Sequence, residues 1–249
     1  MIRLIQGECI DVMKSLIDEG VVVDMVLTDL PYGTTQCKWD NIIPFDEMWE
    51  CINSLTRDDS AVVLFGNEPF SSRLRLSNLF EYKYDIIWDK VVRTGFLNCE
   101  RQPLRQYENI MVFYRSQCTY NPIKWIGLEK NHTNKTGYRK NNVYGRYYEV
   151  PNVLTREKYP TNIVKVNARG SECNNSNRMH PTQKPVELLE YLVNTYSNKG
   201  DLVLDFTMGS GSSGVACQVL GRDFIGIELD EEYFQMAKLR LKSYQSRLM

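Results

Sequence analysis

The chain has 249 residues, and its 30 basic and 31 acidic side chains leave a balanced net charge of −1. This length is enough for one sizeable hydrophobic core with a small inserted unit. Apolar runs fall short of a membrane span and the first residues lack a signal-peptide core, so we expect a cytoplasmic protein without a membrane partner. Seven scattered cysteines, none spaced as Cys-x-x-Cys, and only two histidines predict reduced thiols and no metal site.

The first half of the sequence alternates short apolar runs with segments of helical periodicity. Strands are predicted at 2–5, 24–28, 61–65, 82–88 and 109–114, and helices at about 9–17, 45–55 and 70–79. Strands separated by helices indicate a largely parallel sheet with helices on both faces.

The second predicted strand ends abruptly in the turn Asp29-Leu30-Pro31-Tyr32-Gly33. Pro31 and Gly33 stop the ladder, so Asp29 and Tyr32 lie at the carboxyl end of a strand, where open α/β sheets bind ligands. The exocyclic amine of a nucleobase is a poor nucleophile because its lone pair is delocalised. Two acceptors, the Asp29 carboxylate and the Leu30 carbonyl, would expose that lone pair, and Tyr32 would hold a base removed from the stack. A strand end whose Asp caps backbone amides fits the turn equally well.

Positive charge is concentrated in residues 115–178, which carry twelve basic and four acidic side chains. This net charge of +8 contrasts with −9 for the remainder of the chain. Tyrosines and asparagines lie between the charges, a composition suited to phosphate and base contacts. A solvated, loop-rich insertion explains the segment about as well when it is considered alone.

The α/β pattern resumes with a helix at 185–196, a strand at 201–205, a glycine-rich turn at 206–214 and a helix from 215. A strand at 224–228 and a helix at 231–244 follow. Glu228 ends its strand 19 residues after Gly209, the layout of a mononucleotide site in which the acid binds a ribose diol. A nicotinamide dehydrogenase shares the glycine pattern, but it explains neither the Asp29 turn nor the basic insertion.

Five blocks together make the chain resemble the permuted β class of DNA amino-methyltransferases. In order, they are Asp29-Leu30-Pro31-Tyr32, the basic insertion, His180-Pro181-Thr182-Gln183-Lys184-Pro185, Leu204 to Ser213, and Gly226-Ile227-Glu228. The resemblance implies a Rossmann-like methyltransferase fold, mainly parallel, in which residues 1–114 form the catalytic half. Residues 115–178 would be an inserted target-recognition region and 179–249 the cofactor half. It also implies S-adenosylmethionine as cofactor, DNA as partner, a possible homodimer, and a prokaryotic or phage-encoded, nucleoid-associated protein.

By the same resemblance, Asp29 and the Leu30 carbonyl hold the target amine, next to Pro31, and Tyr32 stacks on the flipped base. The implied cofactor residues are Glu8, Cys9, Asp29, His180, Thr182, Gln183, Lys184, Asp205, Phe206, Gly209, Ser210, Gly211, Ser212, Glu228 and Leu229. Helix capping before Pro185 is an alternative for the block that starts at His180.

Three positions depart from the family pattern: Leu30 replaces a proline, the aromatic of the glycine loop is shifted by one position, and Glu8 stands for Asp. Asp29 favours N6 of adenine, because family members that modify N4 of cytosine chiefly use Ser there. Two alternatives remain. The chain could be a catalytically silent DNA-binding module, or an enzyme that methylates RNA or a protein amide. The pair Trp39-Asp40 is a weaker candidate for the border of the target pocket, since ordinary loop packing explains it better.

Overall fold

The structure, a computed structural model, describes residues 1–33, 41–127, 137–141, 143, 145–149, 156–168 and 183–248. The helices are α1 (Cys9–Asp18), α2 (Phe45–Leu55), α3 (Phe70–Ser77), α4 (Val186–Tyr196), α5 (Ser212–Leu220) and α6 (Glu231–Leu248). The strands are β1 (Ile2–Gln6), β2 (Val23–Asp29), β3 (Thr56–Gly66), β4 (Tyr82–Thr94), β5 (Arg105–Phe113), β6 (Trp125–Ile126), β7 (Gly137–Asn141), β8 (Gly145–Glu149), β9 (Glu157–Lys158), β10 (Ile163–Lys165), β11 (Leu202–Asp205) and β12 (Asp223–Glu228).

Eight of these strands form one sheet in the order β1-β12-β11-β2-β3-β5-β4-β10. Five neighbouring pairs are parallel, and the two pairs that involve β5 are antiparallel. The prediction of a mainly parallel α/β sheet is therefore confirmed. The antiparallel pairs arise because only a short 3₁₀ turn at Phe96–Asn98 joins β4 to β5, so the chain returns directly as a hairpin.

Both faces of the sheet are buried, as a parallel sheet requires. Met25 and Leu27 of β2 point to one face and pack with α4, α5 and α6, whereas Val26 points to the other and packs with α1, α2 and α3. All three side chains are fully buried, and each stabilises the fold by about 1.5–3 kcal/mol relative to an exposed position. This sandwich holds β2 rigidly in the middle of the molecule.

Several element boundaries differ from the sequence-based expectation. Strand β3 begins at Thr56 rather than 61, and α3 ends at Ser77 rather than 79. Strand β4 continues to Thr94, and strand β5 begins at Arg105. Both strands extend beyond the predicted ends because their polar residues pair across the hairpin, although the added segments lack apolar alternation. Helix α5 starts at Ser212, directly after a glycine in the left-handed conformation.

The chain divides into two compact units, Met1–Asn121 with Asn162–Met249 and, separately, Pro122–Thr161. The smaller unit lies within the predicted insertion 115–178 and contains the two-stranded sheets β6-β9 and β7-β8. Strand β10 falls inside the predicted insertion but belongs to the main sheet, because Ile163 pairs with Ile87. The recognition role of the insertion stays a prediction.

Candidate active site

Strand β2 carries Asp29 to the carboxyl edge of the sheet. It is held between β11 and β3, and Asp29 is level with Phe65 in the last pair of the β2–β3 ladder. Beyond it, Leu30 is buried, and Gly33 adopts a φ of +67°, a turn conformation that a residue with a side chain rarely takes. The sequence therefore ends the strand where a carboxylate reaches the rim.

Both oxygens of the Asp29 carboxylate are hydrogen-bonded. The Tyr32 hydroxyl donates to Oδ1 at 2.6 Å, and the Lys184 ammonium donates to Oδ2 at 2.7 Å. Burial raises the pKa of Asp29 above its ordinary value, and the positive charge of Lys184 opposes that rise. A desolvated carboxylate beside a single cation is a stronger hydrogen-bond acceptor than one in water.

Lys184 belongs to a buried chain of alternating charges. Its Nζ lies 3.1 Å from Oε2 of Glu108, and Lys90 donates to Oε1 of Glu108 at 3.0 Å. Burial opposes the charge of Lys184, but Asp29 and Glu108 reverse this effect, so the pKa of Lys184 lies above its ordinary value. Burial likewise disfavours ionised Glu108, yet the two lysines hold its pKa below the ordinary value. We name Asp29, Lys184, Glu108 and Lys90 the charge chain.

Two members of the charge chain, Glu108 and Lys90, were missed by the sequence analysis. They lie on β5 and β4, and only the hairpin register brings Glu108 opposite Trp88 and close to the sheet edge. The sequence gives little signal for them, because both strands mix polar and apolar residues. The cofactor contact that the resemblance implies for Lys184 stays a prediction. In the structure its Nζ is paired with two protein carboxylates, those of Asp29 and Glu108.

The glycine-rich turn orients Glu228 at the end of β12. The backbone N–H groups of Gly209 and Asp230 each donate to the Glu228 carboxylate at 2.8 Å, one to each oxygen. Burial raises the pKa of Glu228 and these donors oppose the rise. Gly211 has a φ of +76°, and a Cβ there would lie 3.0 Å from Ala237 of α6. Gly211 therefore serves the packing of α5 on α6, and it does not line the cavity described below.

Asp205, at the end of β11, is bonded to the turn that follows it. Thr28 donates to Oδ1 at 2.6 Å, the Thr207 N–H donates to the same oxygen at 3.2 Å, and the Ser213 hydroxyl donates to Oδ2. The Thr207 hydroxyl also donates to the backbone carbonyl of Asp29 at 3.0 Å. This threonine ties the turn at Asp29 to the glycine-rich turn. Burial raises the pKa of Asp205 to about 6.

Asp205 should make the stability of the ligand-free protein depend on pH. Its pKa of about 6 in the folded protein lies above the ordinary 3.8, so its contribution to stability is complete below pH 4 and is lost as the pH rises through 6. Asp205→Asn removes this dependence. The variant should therefore gain on the order of 3 kcal/mol relative to wild type between pH 4 and 7. Urea unfolding of both proteins across this range measures the difference, and a difference independent of pH would contradict the prediction.

These groups surround one cavity of about 400 Å³. From the N-terminal half it is lined by Glu8, Cys9, Asp29, Leu30 and Pro31. From the C-terminal half it is lined by Gln183, Lys184, Asp205, Phe206, Gly209, Ser210, Ser212, Glu228 and Leu229. The structure thus brings together fourteen predicted site residues that are far apart in sequence.

The remaining predicted residues are placed differently. The Tyr32 ring packs against Phe70 with 5.0 Å between ring centroids, next to the cavity lining but not part of it. The Glu8 carboxylate accepts from the Asp11 N–H at 3.0 Å and so caps α1, while Glu8 also lines the cavity. His180, Thr182, Trp39 and Asp40 lie outside the described residues.

Within the described ranges, no group of three or more His, Cys, Asp or Glu residues could hold a metal ion. Across the same residues, no helix combines the length and apolarity needed to cross a membrane.

The DNA methylase family matches residues 23–239. The chain belongs to this family. Relatives of this DNA methylase include the type II methyltransferase M.HpaI of Haemophilus parainfluenzae, 28% identical over 97% of this chain and 74% of that protein. The DNA adenine methyltransferase YhdJ of Escherichia coli strain K12 is 28% identical over 96% of this chain and 82% of that protein.

Among solved structures, the crystal structure of the M1.HpyAVI–SAM complex is similar to this DNA methylase, with a TM-score of 0.67 and 25% identity. The likeness covers 97% of this chain and 99% of that one. The Rossmann-like methyltransferase fold expected from the sequence is therefore confirmed.

Proposed function

We propose that this protein transfers a methyl group from S-adenosylmethionine to N6 of adenine in DNA, after the base has rotated out of the duplex. The observation that carries the proposal is the single cavity that joins Asp29, at the catalytic turn, to Glu228 and Asp205. Cofactor and target amine can therefore meet at Asp29. The adenine methyltransferase YhdJ among the relatives, and Asp rather than Ser at position 29, support adenine.

The residues of the cavity fit S-adenosylmethionine. Glu228, held by two backbone N–H groups, would accept hydrogen bonds from the ribose hydroxyls. Asp205, Gly209 and Ser212 would face the methionine part, and the apolar lining at Leu229 suits a purine ring. When bound, the cofactor supplies an electrophilic methyl group on a positively charged sulfonium. The contacts predicted for His180 and Thr182 stay predictions.

At the catalytic turn, the free lone pairs of Asp29 and the Leu30 carbonyl would accept the two amine hydrogens. Accepting both draws the nitrogen toward a tetrahedral geometry and exposes its lone pair. After transfer, the surplus proton of the amine can pass to Asp29, whose pKa is raised by burial. The Tyr32 ring, supported from behind by Phe70, would carry the flipped base. The positive charge of Lys184 favours the ionised form of Asp29.

We further propose residues 115–178 as the target-recognition region, a homodimer as the assembly, and a cytoplasmic, nucleoid-associated location. The basic charge of the region supports DNA contact, and a DNA substrate supports the location. Light scattering after size-exclusion chromatography measures the assembly, and a monomer at micromolar concentration would contradict the dimer.

The experiment that tests the function incubates purified protein with methyl-labelled S-adenosylmethionine and unmethylated genomic DNA, followed by digestion to nucleosides and mass analysis. We expect label in N6-methyladenine. Asp29→Asn, purified in parallel, controls for a contaminating host methylase. Label in N4-methylcytosine would keep the mechanism and overturn the choice of base. Bound cofactor without label in DNA would overturn the proposal, and parallel incubations with RNA and protein would then identify the substrate.

A further inference from the structure

The β4–β5 hairpin extends far beyond the edge of the sheet that holds Asp29. Asp29 is level with Phe65, which is paired with Ile110 of β5. From Ile110 the strand continues outward to Arg105, paired with Thr94. These five residues at about 3.4 Å each carry the tip roughly 17 Å past the level of Asp29.

At the tip of the hairpin, two adjacent apolar side chains point into solvent. Phe96 is 78% exposed and Leu97 is 97% exposed. They lie in a 3₁₀ turn that follows Gly95, whose φ is +88°, and the N–H groups of Asn98 and Cys99 bond back to the carbonyls of Gly95 and Phe96 at 3.0 and 3.1 Å. The turn is therefore a hydrogen-bonded structure that presents both side chains outward. Adjacent exposed apolar side chains with a polar rim are typical of a surface that contacts a partner.

The surroundings of this apolar pair are basic. Residues 91–105 carry three exposed arginines, Arg93, Arg101 and Arg105, against one acid, Glu100. A net charge of +2 on a slender two-stranded ribbon complements the phosphate backbone, and such a ribbon fits a major groove about 12 Å wide and 8.5 Å deep. The reach of roughly 17 Å exceeds the depth of that groove. A ribbon of this shape and charge can approach the base stack while Asp29 remains beside a flipped base.

We propose that the hairpin tip is a DNA wedge, in which Phe96 and Leu97 insert into the base stack of duplex DNA beside the target and hold it open while the target adenine is outside the helix. The inference rests on the proposed function, since it gives the tip a task in the same reaction. Apolar wedges of Phe and Leu unstack base steps in other DNA-binding proteins. The stacking that the target base loses would be replaced in part by the Phe96 ring.

The target site is first mapped by sequencing DNA that the wild type has methylated. The test then compares the wild type with the double variant Phe96→Ser/Leu97→Ser on two synthetic duplexes that contain this site. One duplex is intact, and the other has an abasic position opposite the target adenine, where the base is already poorly stacked. We expect kcat/KM of the variant to fall roughly 10- to 100-fold on the intact duplex and by less than about 3-fold on the abasic one. Both side chains are exposed, so folding should be unaffected.

Phe80→Ser is the matched control. Phe80 is 85% exposed but precedes β4 at the opposite edge of the sheet, so its loss should leave both rates unchanged. The wedge would be overturned if the double variant lost kcat/KM equally on both duplexes or on neither. It would also be overturned if the variant changed its oligomeric state and showed no substrate-dependent loss.

A second readout does not depend on turnover. Wild type should unwind relaxed closed-circular DNA, detected as a change in linking number after topoisomerase treatment, and the double variant should not. A wild type that methylates no DNA overturns the proposed function. In that case the change in linking number alone tests the wedge. Unwinding by the wild type but not by the double variant would support the wedge, and any other result would overturn it.

Discussion

Asp29→Asn should lower kcat for methyl transfer at least about 10³-fold, while the Kd for S-adenosylmethionine changes by less than about 3-fold. Asparagine keeps the shape of the side chain but loses the negative charge and one of the two acceptor oxygens. In the wild type, the two carboxylate oxygens accept from the Tyr32 hydroxyl at 2.6 Å and from Lys184 at 2.7 Å. The single amide oxygen of the variant is uncharged, so it would accept the amine hydrogen more weakly and could not take the surplus proton after transfer.

Single-turnover rates on genomic DNA and calorimetric titration with S-adenosylmethionine separate these two effects. Asp18→Asn is a suitable control, because Asp18 is an exposed acid at the end of α1, away from the cavity. A variant at position 29 that keeps more than about a tenth of the wild-type rate would exclude Asp29 as the principal acceptor.

Lys184→Met should have the second largest effect, because it removes the central cation of the charge chain. Asp29 and Glu108 would then repel each other in a buried setting, and breaking such a pair costs about 3–5 kcal/mol of unfolding free energy. The pKa of Asp29 should rise further, since Lys184 is the charge that lowers it. At pH 7 fewer molecules would carry the carboxylate, and we expect kcat/KM to fall about 100-fold.

Glu108→Gln separates an electrostatic role from a structural one. Glu108 raises the pKa of Asp29, so its neutralisation should lower that pKa. The acid limb of the kcat/KM profile should therefore move to higher pH in Lys184→Met and to lower pH in Glu108→Gln. A charge chain that only supported the fold would give lower rates without these opposite shifts. Rate profiles from pH 5 to 9, with Tm measured in parallel, decide between the two.

The part of the site that could be predicted from sequence lies at strand ends. Asp29, Asp205 and Glu228 each follow a short apolar run and precede a turn, and parallel strands bring such ends to one edge. Local pattern was sufficient there because chemistry and secondary structure change at the same residue. The roles of these residues toward substrate and cofactor still depend on the experiments above.

The charge chain could not be predicted in the same way. Glu108 meets Lys184 only because β4 and β5 pair as a hairpin whose register the sequence does not encode locally. The length of that hairpin was also missed, because the residues of β4 beyond Trp88 lack apolar alternation. The buried ion pair of Lys90 with Glu108 supports the strand there instead. For Glu8, the capping bond to the Asp11 N–H is a local interaction that competes with any role toward a ligand.

The order of strands in the sheet has a consequence for biosynthesis. Strands β1 and β2 are consecutive along the chain, yet β12 and β11 lie between them. A nascent chain that leaves the ribosome with its N-terminus first therefore cannot join β1 to β2 in the sheet until residue 228 has emerged. Until then β1 and one edge of β2 lack their neighbours, and such open edges bind chaperones or other chains. Premature termination or slow translation of the last quarter should thus yield aggregated protein, and not a partly active enzyme.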